Sequence, residues 1–373
     1  MKILKFGGSS VGSASRIRNV ASLISAAQSM HAAIVVVVSA FQGVTDRLLK
    51  AGALASQCDS TWHECFESLR AIHVSSVQDL FSGARRGRTL KAVNETLDEL
   101  QRALKQVSNC GPISAAQLDH IVAFGERLSA LILSEFLTDQ FVEAEYVDSR
   151  ECVRTDDGFG RARVRLEITY AEIQRRLARI KPGSLPVVTG FIGSTEDGRT
   201  TTLGRGGSDY TATILGAALD ATEVEIWTDV DGVLTADPRK VKGAFSIEAM
   251  TYEEAMEMAH FGAKVIYPPT IRPALQRRIP VRVLNSFNPS FPGTVIRGDL
   301  PPKEGFLATG LSSLDEIALL RVEGSGMIGV AGVAARLFGA LARNPSSIAA
   351  RAIPQSPSCR RAPTRTWYDH RHM

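Results

Sequence analysis

Thr202-Leu203-Gly204-Arg205-Gly206-Gly207-Ser208-Asp209-Tyr210 runs directly into Thr211-Ala212-Thr213-Ile214-Leu215-Gly216-Ala217-Ala218-Leu219, whose apolar residues recur at three- and four-residue spacing as on one face of a helix. A glycine turn therefore feeds a helix. Ser208 or Asp209 stands where an N-cap is expected, and the first turn of such a helix presents unpaired N–H groups and a partial positive charge. Three glycines let the backbone approach a ligand closely, so this turn can cradle a phosphate chain. Asp209 argues the other way, since it sets a negative charge beside the anion: it is either a cap alone or the holder of nearby cations. Taken alone, the loop is more simply an exposed turn.

Upstream, Ile3-Leu4-Lys5-Phe6 is a short strand that stops at Gly7-Gly8-Ser9-Ser10-Val11-Gly12. A helix with Ile17, Val20, Leu23 and Ile24 on one face separates it from the buried-strand run Ile34 to Val38. That order opens an α/β sheet, whose ligands gather at the carboxyl ends of the strands. Gly7 and Gly12 have Walker A spacing, but Ser13-Ala14 stands where Lys-Ser/Thr is required, which excludes that motif. The lysine is Lys5, inside the strand. It reads either as a solvated edge residue or as a point charge aimed from a strand end at phosphate. Ser39 to Asp46 closes the second strand with small and polar groups.

From Thr45 to about Gly111 the pattern is helical, broken near Gly83 to Gly87. Ser114 to Phe136 reads as one long helix with Ser114 as N-cap. Gly125-Glu126-Arg127 lies inside it, and a mid-helix glycine costs about 1 kcal/mol relative to alanine, which a close backbone approach would explain. Glu126 by itself reads as half of a surface ion pair. Leu185 to Thr189, Glu223 to Thr228 and Pro280 to Asn285 are further strands, and Ser246 to Phe261 is helical. Asp229-Val230-Asp231-Gly232 lacks the third acidic position and closing glutamate of a calcium loop and reads as a strand-end turn. At least five strands thus end in glycine, small or acidic residues, placing a ligand site along one edge of a sheet.

Composition narrows the class. The chain has 373 residues, 44% hydrophobic and 22% charged, ordinary for a soluble globular protein of one large domain or two. The sequence pI is about 8.8, but the whole net charge of +4 is matched by the tail alone, where Arg351, Arg360, Arg361, Arg365 and Arg371 face only Asp369. A neutral body predicts no nucleic-acid partner. Cys58, Cys65, Cys110, Cys152 and Cys359 are scattered without a C-x-x-C pair, which predicts reduced thiols in a cytoplasmic protein and no zinc site. The longest apolar run, Ala32 to Val38, is too short for a bilayer, so no membrane partner is expected.

The segments Lys5-Phe6-Gly7-Gly8-Ser9-Ser10-Val11, Gly204-Arg205-Gly206-Gly207-Ser208-Asp209, Thr228-Asp229-Val230-Asp231-Gly232 and Phe261-Gly262-Ala263-Lys264-Val265 together resemble aspartate kinase of the amino-acid kinase superfamily. The resemblance runs in order from Met1 to about Arg343 and is nearest to the kinase part of bifunctional aspartokinase–homoserine dehydrogenases. It implies a three-layer α/β/α sandwich with a mostly parallel central sheet over residues 1–300. It also implies phosphoryl transfer from ATP to the side-chain carboxylate of L-aspartate, the first step of lysine, threonine and methionine biosynthesis. By resemblance, Lys5 and Lys264 bridge the transferring phosphate while Asp209 keeps the lysines in place. Gly7, Gly8, Ser9, Ser208, Thr228, Asp229, Arg239, Lys264 and Val265 hold the nucleotide, and Leu234 stands where many relatives carry tyrosine. Arg205 takes the α-carboxylate of aspartate, Glu126 its ammonium, and Ser39 and Thr45 make further contacts. Mg²⁺ is expected on phosphate oxygens, with no protein metal ligands assigned.

Residues 301–343 resemble the opening of an ACT regulatory domain, with Leu319-Leu320-Arg321-Val322 as first strand and Gly329 to Leu341 as first helix. The rest of that α+β unit is missing. Residues 344–373 read instead as a disordered basic tail, as a frameshifted or otherwise aberrant end would. ACT units in this family bind the feedback amino acid and build the dimer, so the resemblance implies a weakened homodimer with little feedback inhibition. The rival reading is an inactive truncated subunit that serves only as a binding or regulatory partner.

Overall fold

The computed structural model describes residues 1–30, 33–140, 142–260, 267–300, 308–313 and 332–342. Lys264, Val265, the ACT-like strand at 319–322 and the tail at 344–373 lie outside the described residues. The chain divides into two units, Met1–Asp315 and Glu316–Met373. In the second, the helix Val333–Ala342 is described, with Phe338 46% exposed.

In chain order the strands of the first unit are β1 (Lys2–Phe6), β2 (Ile34–Val38), β3 (Ala144–Val147), β4 (Leu185–Thr189), β5 (Ile192–Ser194), β6 (Thr200–Thr202), β7 (Glu223–Thr228), β8 (Ala249–Met250), β9 (Val281–Asn285) and β10 (Thr294–Ile296). Eight form one sheet in the order β3-β4-β2-β1-β7-β9-β10-β8, and β5 and β6 pair as an antiparallel hairpin. Within the large sheet only β9 and β10 run antiparallel. The five strands expected from short apolar runs are all present, at its centre.

Alternation along the central strands explains why helices cover both faces. Leu4, Phe6, Val36 and Val38 join one buried cluster with Ile17, Val20 and Ile24 of the helix Ala14–Met30. Ile3, Val35, Val37, Val224 and Ile226 join the other with Ala212, Ile214 and Leu215 of the helix Gly207–Ala218. A strand buried on both sides reads as an unbroken apolar run, as Ile34 to Val38 does. The result is the expected three-layer sandwich.

Several helical boundaries differ from the sequence reading. The helical region after Thr45 is three helices, Val44–Ser56, Trp62–Leu80 and Gly83–Cys110. The expected break near Gly83 is there, at extended Phe81 and Ser82 just before Gly83, and a second falls at Asp59, whose carboxylate accepts from the Thr61 N–H and hydroxyl. The long helix after Ser114 is two, Ala115–Val122 and Phe124–Gln140. Ser114 is the N-cap, in a capping box with Gln117. The interruption at Ala123 puts Gly125 against the second-strand loop, where a Cβ on Gly125 would lie 2.7 Å from the Ala40 Cβ. The expected close approach is there. Finally, the helix after Ser246 begins only at Tyr252, because Ala249–Met250 pairs with β10 and Thr251 and Glu254 exchange capping hydrogen bonds.

Candidate active site

β1 lies between β2 on one side and β7 on the other, so the sheet's connections diverge at its carboxyl end and leave a crevice there. Lys5 points to the same face as Ile3 by strand alternation, toward the helix Gly207–Ala218. Its ammonium lies 2.6 Å from the Asp209 carboxylate. Lys5 is only 8% exposed, so it is not the solvated edge lysine that a short strand suggests. Its nitrogen stands over the glycine turn, 3.5 Å from where a Cβ on Gly7 would sit.

The glycine turn that opens the helix differs from expectation in its cap. Gly206, in the left-handed region at φ +70°, is the N-cap without a side-chain bond, and Ser208 and Asp209 fall inside the first turn. Glycine serves here because a side chain strains at positive φ. This leaves Asp209 free to pair with Lys5, the second of its two readings. Two further elements complete the wall. The loop after β2 and the helix Val44–Ser56 that follows it contribute Ser39 and Thr45, and the helix Phe124–Gln140 contributes Glu126.

Together these groups line a cavity of about 580 Å³, which gathers Lys5, Gly8, Ser39, Thr45, Glu126, Arg205, Ser208 and Asp209. Glu126 is 3% exposed. Its Oε1 accepts the Ala40 N–H at 3.1 Å, and its Oε2 has no hydrogen-bond partner among the described residues. Burial pushes this carboxyl up to about 8, against the opposing Ala40 N–H and the Lys5 charge. It is therefore a buried acid needing a cation, not a surface pair. Arg205 is exposed, with its guanidinium 5.8 Å from the Tyr267 ring centroid.

Gly7, Ser9, Thr228, Asp229, Leu234 and Arg239 do not line this cavity; they occupy the neighbouring strand ends and loops. The Gly7 N–H donates to the Trp227 carbonyl at 3.0 Å, joining the β1 turn to β7. The Ser9 carbonyl accepts from Arg16 at 2.8 Å. The Thr228 hydroxyl donates to Asp229 at 3.2 Å. Leu234 is half-buried and bridges to Ser246. Arg239 forks onto Asp237 at 2.6 to 3.2 Å, and those bonds hold the Asp237 carboxyl down at about 2.

Sequence reasoning missed two residues on the cavity wall. Phe191 sits at φ +68°, a conformation that costs a bulky side chain energy, and packs its ring against Gly207. Asp119 is 4% exposed and its carboxylate accepts three hydrogen bonds. A signal for Asp119 was available: Ala115, Leu118, Asp119 and Val122 fall at helical spacing, so an acid stands on an apolar stripe. No cluster of three or more His, Cys, Asp or Glu that could hold a metal occurs among the described residues. Among them, too, no helix is long and apolar enough to cross a membrane.

A family model described as the amino acid kinase family matches residues 1–285. Aspartokinase 2, chloroplastic, from Arabidopsis thaliana is 38% identical over 344 residues, covering 90% of this chain and 61% of that protein. The bifunctional aspartokinase/homoserine dehydrogenase 2, chloroplastic, of the same plant is 36% identical over 349 residues, covering 90% of this chain and 37% of that protein. The chain thus spans less than two thirds of either relative. Among solved structures, E. coli aspartokinase III in complex with aspartate and ADP superposes with a TM-score of 0.74 at 36% identity, covering 81% of this chain and 65% of that one. With a matching model over most of its length, and with its glycine turns and buried lysine at the divergence of a mostly parallel sheet, the chain belongs to the amino acid kinase family.

Proposed function

We propose that this chain is an aspartate kinase, which transfers the γ-phosphoryl group of ATP to the side-chain carboxylate of L-aspartate and yields 4-phospho-L-aspartate and ADP. The observation that carries the reading is the cavity itself: a buried Lys5–Asp209 pair at one end, and Glu126, Arg205, Ser39 and Thr45 around the rest. An α-amino acid needs an anion for its ammonium and a cation for its α-carboxylate. Glu126, with a buried oxygen unpartnered among the described residues, supplies the first, and the planar fork of Arg205 supplies the second. Ser39 and Thr45 add hydroxyls, and the substrate's second carboxylate is directed toward Lys5.

The chemistry follows from that placement. An oxygen of the aspartate side chain forms a bond to the γ-phosphorus. The bond from that phosphorus to the bridging oxygen breaks, and the electron pair leaves with ADP. The carboxylate is already ionised at neutral pH, so no general base is needed. Positioning and charge neutralisation are the protein's main contributions. Lys5, held by Asp209, supplies a preorganised positive charge where negative charge builds up, and we assign Lys264 the partner role.

The residues present fit a nucleotide triphosphate. The Lys5 ammonium lies over the bare Gly7 backbone, and Gly207, Ser208 and Asp209, the first turn of the helix, line the cavity, a helix end that favours anions. Thr228, Asp229, Leu234, Arg239 and Val265 are assigned to the nucleoside end. Mg²⁺, when bound, would neutralise phosphate charge. Free Cys58, Cys65 and Cys152 support a cytoplasmic setting. We take residues 1–300 as the catalytic domain, 301–343 as ACT-like and 344–373 as a tail.

An ATP-dependent acyl-hydroxamate assay tests the reading. L-aspartate is expected to give product and Lys5→Ala to give about a hundredfold less or below. Turnover with glutamate or N-acetylglutamate but not aspartate would overturn the substrate assignment, and no turnover with any acceptor from folded protein would overturn the enzyme reading.

A further inference from the structure

We propose that Asp119 is a positioning residue: it ties together the rim of the amino-acid pocket and thereby sets the affinity for the acceptor substrate. The assignment rests on the reading above, in which Arg205 grips the α-carboxylate. Asp119 lies on the helix Ala115–Val122 and reaches two other segments at once. Its Oδ2 accepts the Gly160 N–H at 2.9 Å and the Thr202 N–H at 2.8 Å. Its Oδ1 accepts the Thr202 hydroxyl at 2.8 Å. The Ala162 N–H adds a bond to the Thr202 carbonyl at 2.9 Å. Thr202 ends β6, and Arg205 follows three residues later on the glycine turn.

Burying a carboxylate is costly unless its lone pairs are used. Here both oxygens are used, and on two backbone segments that line the cavity. The consequence is geometric. Without the tie, the Gly160 loop and the end of β6 keep the Ala162–Thr202 bond to each other but lose the three bonds that anchor them to the helix Ala115–Val122, and the turn bearing Arg205 gains freedom. A displacement of about 1 Å in a substrate-gripping group can cost about a hundredfold in rate.

Steady-state kinetics of Asp119→Ala and Asp119→Asn, with thermal melts, test this. An asparagine can accept both N–H donors on its carbonyl oxygen and donate its amide to the Thr202 hydroxyl. Asp119→Ala is expected to raise the KM for L-aspartate by about tenfold or more, with the KM for ATP within about twofold, and Asp119→Asn to recover most of that loss. Thr202→Val, which drops one bond of the three, is expected to raise the aspartate KM less, and it carries the test if the alanine variant does not fold. Equal rises in both KM values, a lower melting temperature with unchanged aspartate KM, or an asparagine variant as poor as alanine would overturn the assignment. Absence of turnover in the wild-type protein would instead sink the kinase reading; calorimetric binding of L-aspartate to the same variants then still reads the split.

Discussion

The two ends of the site are built differently. Around the amino-acid end, charged groups are held by partners far along the chain: Lys5 by Asp209, Glu126 by Ala40 and Asp119 by Gly160 and Thr202. Around the strand ends assigned to the nucleotide, two side-chain pairs are local, Thr228 with Asp229 and Arg239 with Asp237, while the backbone there is tied at long range by Gly7 to Trp227 and by Ser286 to Thr228. A long-range tie fixes a group relative to the whole fold, whereas a local one fixes it only relative to its own loop. The amino-acid end is therefore preorganised for a small ligand with few contacts. At the nucleotide end the Arg239 and Thr228 side chains make these contacts close by in sequence, on a backbone held at long range.

Four perturbations bear on that contrast. If the buried pair is the preorganised charge, Lys5→Ala loses about a hundred- to a thousandfold in kcat, read by steady-state kinetics; a loss below tenfold would erase the distinction between the two ends. Gly125→Ala places a methyl 2.7 Å from the Ala40 Cβ and is predicted to cost about 1–3 kcal/mol by overpacking, read by chemical denaturation. A wild-type denaturation curve would show the Glu126 tie to be less tight than drawn.

A smaller effect follows from Glu126, which must be ionised to hold an ammonium and is pushed up to about 8 by burial. The KM for L-aspartate is predicted to fall about tenfold between pH 6.5 and pH 8, and Glu126→Gln to flatten that profile. The same shift affects folding. The native state holds this proton more tightly than the unfolded chain, so its stabilising contribution is complete below the ordinary glutamate range and is lost as pH rises toward 8. Glu126→Gln stability should lack that decline. Least of all, Arg239→Ala, which removes a pair whose arginine is 75% exposed, is predicted to change stability by less than about 1 kcal/mol. A change confined to the ATP KM would mark the residue as a ligand contact, and a larger loss of stability would contradict the picture of a locally held loop.

How much of this was legible from residues alone depended on length and reach. β1, β2, β4, β7 and β9 each carry five or six residues, enough for an apolar run to stand out. β8 has two residues and β5, β6 and β10 have three each, too few for any period. The helix boundaries failed where a short polar device overrode the pattern, as the Asp59 turn did, or where the Thr251 and Glu254 capping pair was overlooked. At the site, the Lys5–Asp209 pairing was readable only because several motifs recur in order. Glu126 misled by its surface-like neighbours, since burial is a property of where the helix Phe124–Gln140 lands. Asp119 was visible as an acid on an apolar stripe, but its partners lie on segments that no local rule brings together.

The central place of β1 also constrains how the chain reaches its native state. One edge of β1 is filled by β2, barely thirty residues on (Lys2 with Ile34), but the other waits for β7 (Lys2 with Glu223). During vectorial synthesis the half-sheet β3-β4-β2-β1 can assemble first, with an apolar edge left open until the second half emerges. Open edges of this kind recruit other chains, and pairings distant in sequence form slowly. Lys2, later enclosed by Glu223 and Glu225 at 2.6 and 2.8 Å, places a charge on that edge in the interval. Conditions that stall elongation before Glu223 are therefore those in which this protein is most prone to aggregate.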